Sequence, residues 1–175
     1  MDRRTQKLLD SKERMADALL LLMHDQPMKK VTPQMVCDHV GMARVTWFRY
    51  FSSKEEAIAF KLGRIWKRWV EAHPLEGVDD VDYARALRFF GFFWEYRDIF
   101  KVLQKDGVTD VALDPLFEKI ADARATTTQS LYANHFNLAG LYGIVVVWIR
   151  RDFAETPEEM AQIARQNFHI DSVFE

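Results

Sequence analysis

Three residues, Thr32, Gly41 and Ser53, divide the stretch from Val31 to Ala57 so closely that only short helices fit between them. Thr32 is a good N-cap, because its hydroxyl accepts from an orphan amide of the next turn, and Pro33 takes the first helical position, where its missing N–H costs nothing. The helix so opened ends at Val40, since Gly41 supplies the positive φ of a C-terminal turn. A further helix runs from about Ala43 to Tyr50, and Ser53 with Glu56 has the spacing of a capping box that starts the next. Upstream, Lys7 to His24 carries Leu8, Leu9, Met15, Ala18, Leu19, Leu22 and Met23 on one helical stripe. The Gln26-Pro27 step stops that helix, because a residue before proline is driven out of the α region, and Met28 to Val31 is a connector. The unit reads as helix, then helix, tight glycine turn, helix.

The fourth helix runs from Ser53 to about His73, with Pro74 as its stop and Ile58, Leu62, Ile65, Trp66 and Trp69 as its apolar side. It joins a first subdomain, residues 1–53, to a second, residues 54–175. Leu75 to Asp82, with Gly77 and several acids, reads as a loop. Tyr83 to Arg97 is a helix crowded with Leu87, Phe89, Phe90, Phe92, Phe93, Trp94 and Tyr96, and Ile99 to Lys105 is a short one ending near Gly107. Asp114-Pro115 is expected to restart the chain as a cap with a first-turn proline. Ile144 to Ile149 is β-branched enough to favour a strand locally, but no partner strand is visible, so Tyr132 to Arg151 is expected to be helical. Thr156-Pro157-Glu158-Glu159 caps a last helix through about Phe168. Only seven Gly and five Pro punctuate the chain, and Asp106-Gly107 lacks alternating runs on its flanks. The expected fold class is all-α, with about nine helices.

Charge is uninformative until the chain is divided. The total is −2, but Met1 to Trp69 holds 14 Lys and Arg against 8 Asp and Glu, whereas the remainder holds 10 against 18. A basic first third joined to an acidic remainder suggests a surface that meets a polyanion, since neutralising phosphates releases counterions. The longest apolar runs, Ala18 to Met23 and Ile144 to Ile149, are far shorter than the roughly 20 residues that span a bilayer. One cysteine allows no internal disulfide, and the charged stretch Met1 to Asp10 does not resemble a signal peptide. A cytoplasmic protein without membrane contact is expected.

The stretch Val31-Thr-Pro-Gln-Met-Val-Cys-Asp-His-Val-Gly-Met-Ala-Arg-Val-Thr-Trp-Phe-Arg-Tyr-Phe-Ser-Ser-Lys-Glu-Glu-Ala57 resembles the signature of TetR regulators, and the match extends to about Phe60. The glycine turn, the aromatic cluster and the capped fourth helix recur together, which is more specific than a generic helix-turn-helix. The resemblance implies a repressor that binds double-stranded operator DNA as a homodimer. Its DNA contacts would be Thr32, Ala43, Arg44, Val45, Thr46, Phe48, Arg49, Tyr50 and Lys54. Arg44 suits a base reader, because its guanidinium binds guanine O6 and N7 bidentately. Thr46 and Tyr50 match positions that hold the DNA backbone, and each carries a hydroxyl suited to a phosphate. Lys54 lies in the first turn of the fourth helix, where a positive helix end could meet phosphate. Family members commonly have Tyr where this chain has Phe48, which cannot donate to phosphate; an exposed Phe48 would instead touch a sugar or a thymine methyl. Trp47 and Phe51, four apart, would wedge the recognition helix against its neighbours. Cys37 reads as a small core residue, the alternative being a redox-sensing thiol.

An unknown small-molecule inducer is implied by the same resemblance, with Phe93, Tyr96, Phe100 and Trp148 as candidate lining. Residues alone leave a thick aromatic core and a pocket wall equally open. The last two helices resemble the family's dimer helices, with Leu138, Leu141, Val145, Trp148, Met160, Ile163 and Ala164 as candidate contacts and Ala139, Gly140 and Gly143 allowing close approach. No His, Cys or acid spacing suggests a metal site, a nucleophile or a phosphate loop, so neither cofactor nor enzymatic activity is expected. The rival readings are a helical interaction module without DNA binding and a small α-helical enzyme using the aromatic cavity.

Overall fold

The computed structural model describes residues 2–75, 80–122 and 126–167, and the described residues form nine α-helices and one 3-10 turn with no strand. The first helix, α1 (Arg3–Asp25), starts one turn earlier than the apolar stripe suggests, because the Asp2 carboxylate caps it by accepting from the Thr5 amide at 2.7 Å. The 3-10 turn Met28–Lys30 follows Pro27. Thr32 and Pro33 open α2 (Pro33–Val40) as expected, and Gly41 closes it at φ +67°. The recognition-helix candidate is α3 (Arg44–Tyr50), followed by α4 (Lys54–Ala72).

Of the expected capping box at α4, one half forms as drawn. Ser53 Oγ accepts from the Glu56 amide at 3.0 Å, but the Glu56 carboxylate returns to Ser52, taking its amide at 2.7 Å and its hydroxyl at 2.6 Å. A second acceptor-hungry hydroxyl one residue upstream captures the carboxylate.

The remaining helices are α5 (Val81–Glu95), α6 (Arg97–Lys105), α7 (Thr109–Asp122), α8 (Thr128–Arg150) and α9 (Pro157–Asn167). Part of the expected Leu75–Asp82 loop, residues 76–79, lies outside the described residues, as does Phe168. Asp114-Pro115 does not start a helix: Pro115 lies inside α7, which begins at Thr109 directly after the Asp106-Gly107 turn. A mid-helix proline costs about 3 kcal/mol, yet Ala112, Leu113, Leu116, Phe117 and Ile120 all bury on one face, so tertiary packing outweighs the lost bond. Ile144 to Ile149 is helical, as expected. The box at α9 is complete, with Thr156 and Glu159 exchanging both bonds at 2.8 and 3.3 Å.

One continuous core joins the two halves. In the first, α1 packs on α2 and α4, and α2 on α3. Helix α4 continues into the second half against α5 and α7, where α5 lies on α9 and α7 on α8. The α5 rings fill the centre: Phe89, Phe90, Phe92 and Phe93 are buried and meet edge to face at 5.2 Å. Gly91 lets Trp69 of α4 close on α5, since a Cβ there would sit 3.2 Å from the indole, whose N–H donates to the Arg88 carbonyl at 2.8 Å. Among the described residues, no helix is long and apolar enough to cross a membrane.

Candidate nucleic-acid interface

Seven residues of α3 divide between two jobs. Trp47, 1% exposed, is the inward anchor; its ring lies 5.2 Å from that of Phe51, which in turn meets Phe60 of α4 at 5.8 Å. Lys12 of α1 covers Phe51 and Phe60 at 4.7 and 4.8 Å, closing the wedge with a cation over two ring faces. Because this anchor is a single large ring, the rest of so short a helix stays outside. Val45 is 71% exposed and Phe48 57%, and Ala43, Arg44 and Arg49 are exposed as well, while Thr46 and Tyr50 are half-buried. Two large apolar side chains displayed on one short helix is unusual for a solvated surface and typical of a surface that meets a partner. The Arg44 guanidinium rests 5.3 Å from the Phe48 ring centroid, so the two side chains form one projecting unit.

The flanking turns hold this helix in place. Thr32 Oγ1 accepts from the Met35 amide at 3.2 Å, which leaves its own O–H free to donate outward. Lys54 is only half-buried but is committed inward: its Nζ donates to the carbonyls of Met28 and Val31 at 2.5 and 3.1 Å. Two of its three donors are therefore used by the connector, a role invisible to sequence spacing because Met28 and Lys54 are far apart in the chain. In the same connector, the Asp106 carboxylate accepts from the Met28 amide at 2.6 Å. The turn between α6 and α7 is thereby tied directly to the segment that positions α2.

Two ionic seams join α1 to α4. Glu13 accepts from Arg64 and, at 3.0 Å, from Arg68, and Asp17 pairs with the buried Lys61. Burial works against the Glu13 charge, but the two arginine hydrogen bonds and their fields overcome it and hold the carboxyl below the usual glutamate range. Cys37 is fully buried beneath α3. Burial pushes its thiol above the ordinary range, with Asp38 adding to the shift and the Trp47 amide and Arg44 opposing it. A sensing thiol needs exposure and a lowered pKa, and Cys37 has neither.

At the outer end of α3, Arg49 and Tyr50 border a groove of about 410 Å³ with Arg4, Lys7, Leu8 and Ser11 of α1. The first turn of α1 escapes a reading based on apolar periodicity, because its signal is cationic: Arg4 and Lys7 are three apart and share a helix face.

Beyond this interface, a family model for the TetR transcriptional regulator C-terminal region matches residues 95–169. Over that region the chain is similar to TetR-family transcriptional regulators. The matched region does not overlap the stretch between Val31 and Phe60. No curated protein matches the chain in a sequence search.

Most of the side chains expected at a subunit contact face the protomer's own core. Leu138, Leu141, Val145, Met160 and Ala164 are buried inside the protomer, and Trp148 is 1% exposed; of the set, Ile163 alone is exposed, at 38%. The outward stripe of α8 is instead Tyr132, Phe136, Gly140, Gly143 and Val147, with Tyr132 73%, Phe136 80% and Val147 53% exposed. It borders a groove of about 410 Å³ shared with Met160 and Ile163 of α9. Helix α8 is apolar on nearly every face, and such a helix gives no periodic signal for which arc meets its own subunit.

The proposed ligand lining is likewise packed. Phe93 and Phe100 are fully buried with ring centroids 4.9 Å apart, Tyr96 is half-buried against Phe92 at 5.2 Å, and Trp148 meets Phe90 at 5.8 Å and Phe153 at 4.9 Å. These rings form the thick aromatic core that the sequence left open as one alternative. Among the described residues, no group of His, Cys, Asp and Glu is arranged to hold a metal ion.

Proposed function

We propose that this regulator is a homodimeric repressor whose α3 enters the major groove of a pseudo-palindromic operator. The observation that carries this reading is the outward face of α3, where Arg44, Val45, Phe48 and Arg49 project around a single buried anchor, Trp47. Arg44 reads a guanine edge, Val45 and Phe48 make apolar contact with thymine methyls or sugar, and the hydroxyls of Thr32, Thr46 and Tyr50 position the backbone. Ala43 adds close approach at the helix start. Lys54 acts chiefly as a brace of the connector and offers its remaining donor to phosphate. Residues 1–53 form the DNA-binding head and residues 54–175 the regulatory and dimerising part, with α4 shared mechanically between them.

The outward stripe of α8, with Ile163, supplies the second half of the reading. Joining two copies across it buries the exposed aromatic and aliphatic side chains and pairs two recognition helices about 34–36 Å apart, one helical turn of DNA. Small-molecule release is the regulatory part of the proposal: an inducer that parts the rings around Phe93 and Phe100 would move α4 and, through Asp106 and Met28, the head. Such a protein works in the cytoplasm, where the duplex is.

Selection of bound duplexes from random DNA by the purified protein tests the reading. A two-fold symmetric consensus is expected, and Arg44→Ala is expected to weaken the preferred site by about 5- to 150-fold per half-site, the value of one bidentate base contact, while sparing non-specific binding. Failure of the wild type to retain any duplex at low salt refutes it.

A further inference from the structure

Three cations around the groove between α1 and α3 have no carboxylate partner among the described residues. Arg4 and Lys7 come from the first two turns of α1, and Arg49 comes from the end of α3, held over the Tyr50 ring at 4.9 Å and within 3.4 Å of its hydroxyl. The acids of the same stretch are engaged elsewhere: Asp2 caps α1, Asp10 accepts from Gln6 at 2.7 Å, and Glu13 is held by Arg64 and Arg68. Leu8 and Ser11 complete a wall with no carboxylate in it, so the opening of about 410 Å³ is lined only by cations, hydroxyls and apolar carbon. Such a lining selects an anion, and three basic side chains with the Tyr50 hydroxyl suit a tetrahedral oxyanion of phosphate type.

Position decides which phosphate. Helix α3 has seven residues and is about 10 Å long, close to the roughly 12 Å width of a major groove. With its first turn at the base edges, its last turn, and the start of α1 beside it, comes to the sugar-phosphate wall of that groove. Resting on the DNA-binding reading above, we propose that Arg4, Lys7 and Arg49 form a clamp for a backbone phosphate beside each half-site, with Tyr50 as hydroxyl donor. The clamp is independent of base sequence and anchors the outer end of the recognition helix, whereas Arg44 reads bases at its start. The α1 turn is therefore part of the footprint, and Asp2, by capping that turn, positions it.

The test compares wild type, Arg4→Gln/Lys7→Gln and Arg44→Ala on one selected duplex by fluorescence anisotropy, across about 50–300 mM salt. If each protomer neutralises one phosphate in the groove, the double substitution lowers the slope of log K against log salt by about 1.8 for the dimer, and leaves the ranking of duplex sequences unchanged. Arg4→Lys, which keeps the charge, retains the wild-type slope. Arg44→Ala has the reverse signature, with flattened ranking and a smaller change in slope. A wild-type slope in the double variant overturns the clamp while leaving the DNA-binding reading intact; absence of duplex binding by the wild type overturns both. Titration with inorganic phosphate separates the other source of the same chemistry. Tight binding of the free anion, lost in the double variant while duplex affinity is not, would make the groove a small-anion site and refute the clamp. All the substituted side chains are on the exposed rim, and unchanged thermal midpoints confirm that the fold is not the cause.

Discussion

Replacing Glu13 by Gln keeps the shape of the side chain and removes the charge that two arginines share. Its carboxylate is 18% exposed, Arg64 30% and Arg68 47%, so the cluster is neither a surface pair nor a fully desolvated one. A charge-assisted hydrogen bond contributes about 1.5–3 kcal/mol when shielded, and an exposed pair about 0.2–1 kcal/mol, so losing one of each kind costs about 2 kcal/mol. For a chain of this length that lowers the thermal midpoint by about 4–8 °C. The sign of the pH dependence follows from the lowered carboxyl. Its stabilisation is fully present above the unfolded glutamate value of about 4.3 and is lost as pH falls through the lower folded value. Urea titrations followed by tryptophan fluorescence should therefore give a constant gap between wild type and Glu13→Gln from about pH 8 to pH 5, closing below about pH 4. A cycle with Arg64→Gln should show positive coupling. A gap under about 0.5 kcal/mol at neutral pH, or one that persists undiminished once the carboxyl is protonated, would refute the claim that this charge cluster braces α1 on α4.

Gly41→Ala is expected to lower stability by about 1–2 kcal/mol, visible as a drop in thermal midpoint. The backbone is left-handed there and no atom lies within 4 Å of the added methyl, so strain is the whole cost; Gly41→Asn should lose less. Cys37 should react with a maleimide only as fast as the protein unfolds, and rapid labelling of the folded protein would contradict its burial. On the outward stripe of α8, Phe136→Asp and Gly143→Leu should shift sedimentation toward the monomer, and an unaltered dimer constant would exclude this face as the interface. Gly143→Ala, which meets nothing within 4 Å in the protomer, should stabilise the isolated subunit by about 0.5–1 kcal/mol. Asp106→Ala removes the acceptor of the Met28 amide and should increase hydrogen exchange at that amide by about 5- to 10-fold, and protection equal to wild type would show that the turn does not hold the connector.

Local chemistry was legible wherever a residue acts on its immediate neighbours. Thr32, Pro33 and Gly41 bound α2 because a hydroxyl cap, a ring-locked φ and a glycine turn do their work within four residues. The same locality made α3 readable and Trp47 identifiable as its anchor. Other features depend on distant parts of the chain. Pro115 looked like a helix start and is a helix interior, because five buried side chains of α7 outweigh one missing amide bond. Lys54 looked like an outward cation and is held by two carbonyls of the connector. The inward and outward arcs of α8 were indistinguishable in a helix apolar all round, and only its packing on α6 and α7 turned Leu138, Leu141 and Val145 inward and left Phe136 and Val147 outside. Caps, turns and net charge are properties of short segments and so belong to the sequence by itself. Which face is buried, which carboxylate finds which arginine, and which cations are left over to converge on a groove are set by helices meeting across the chain, and only the tertiary structure decides them.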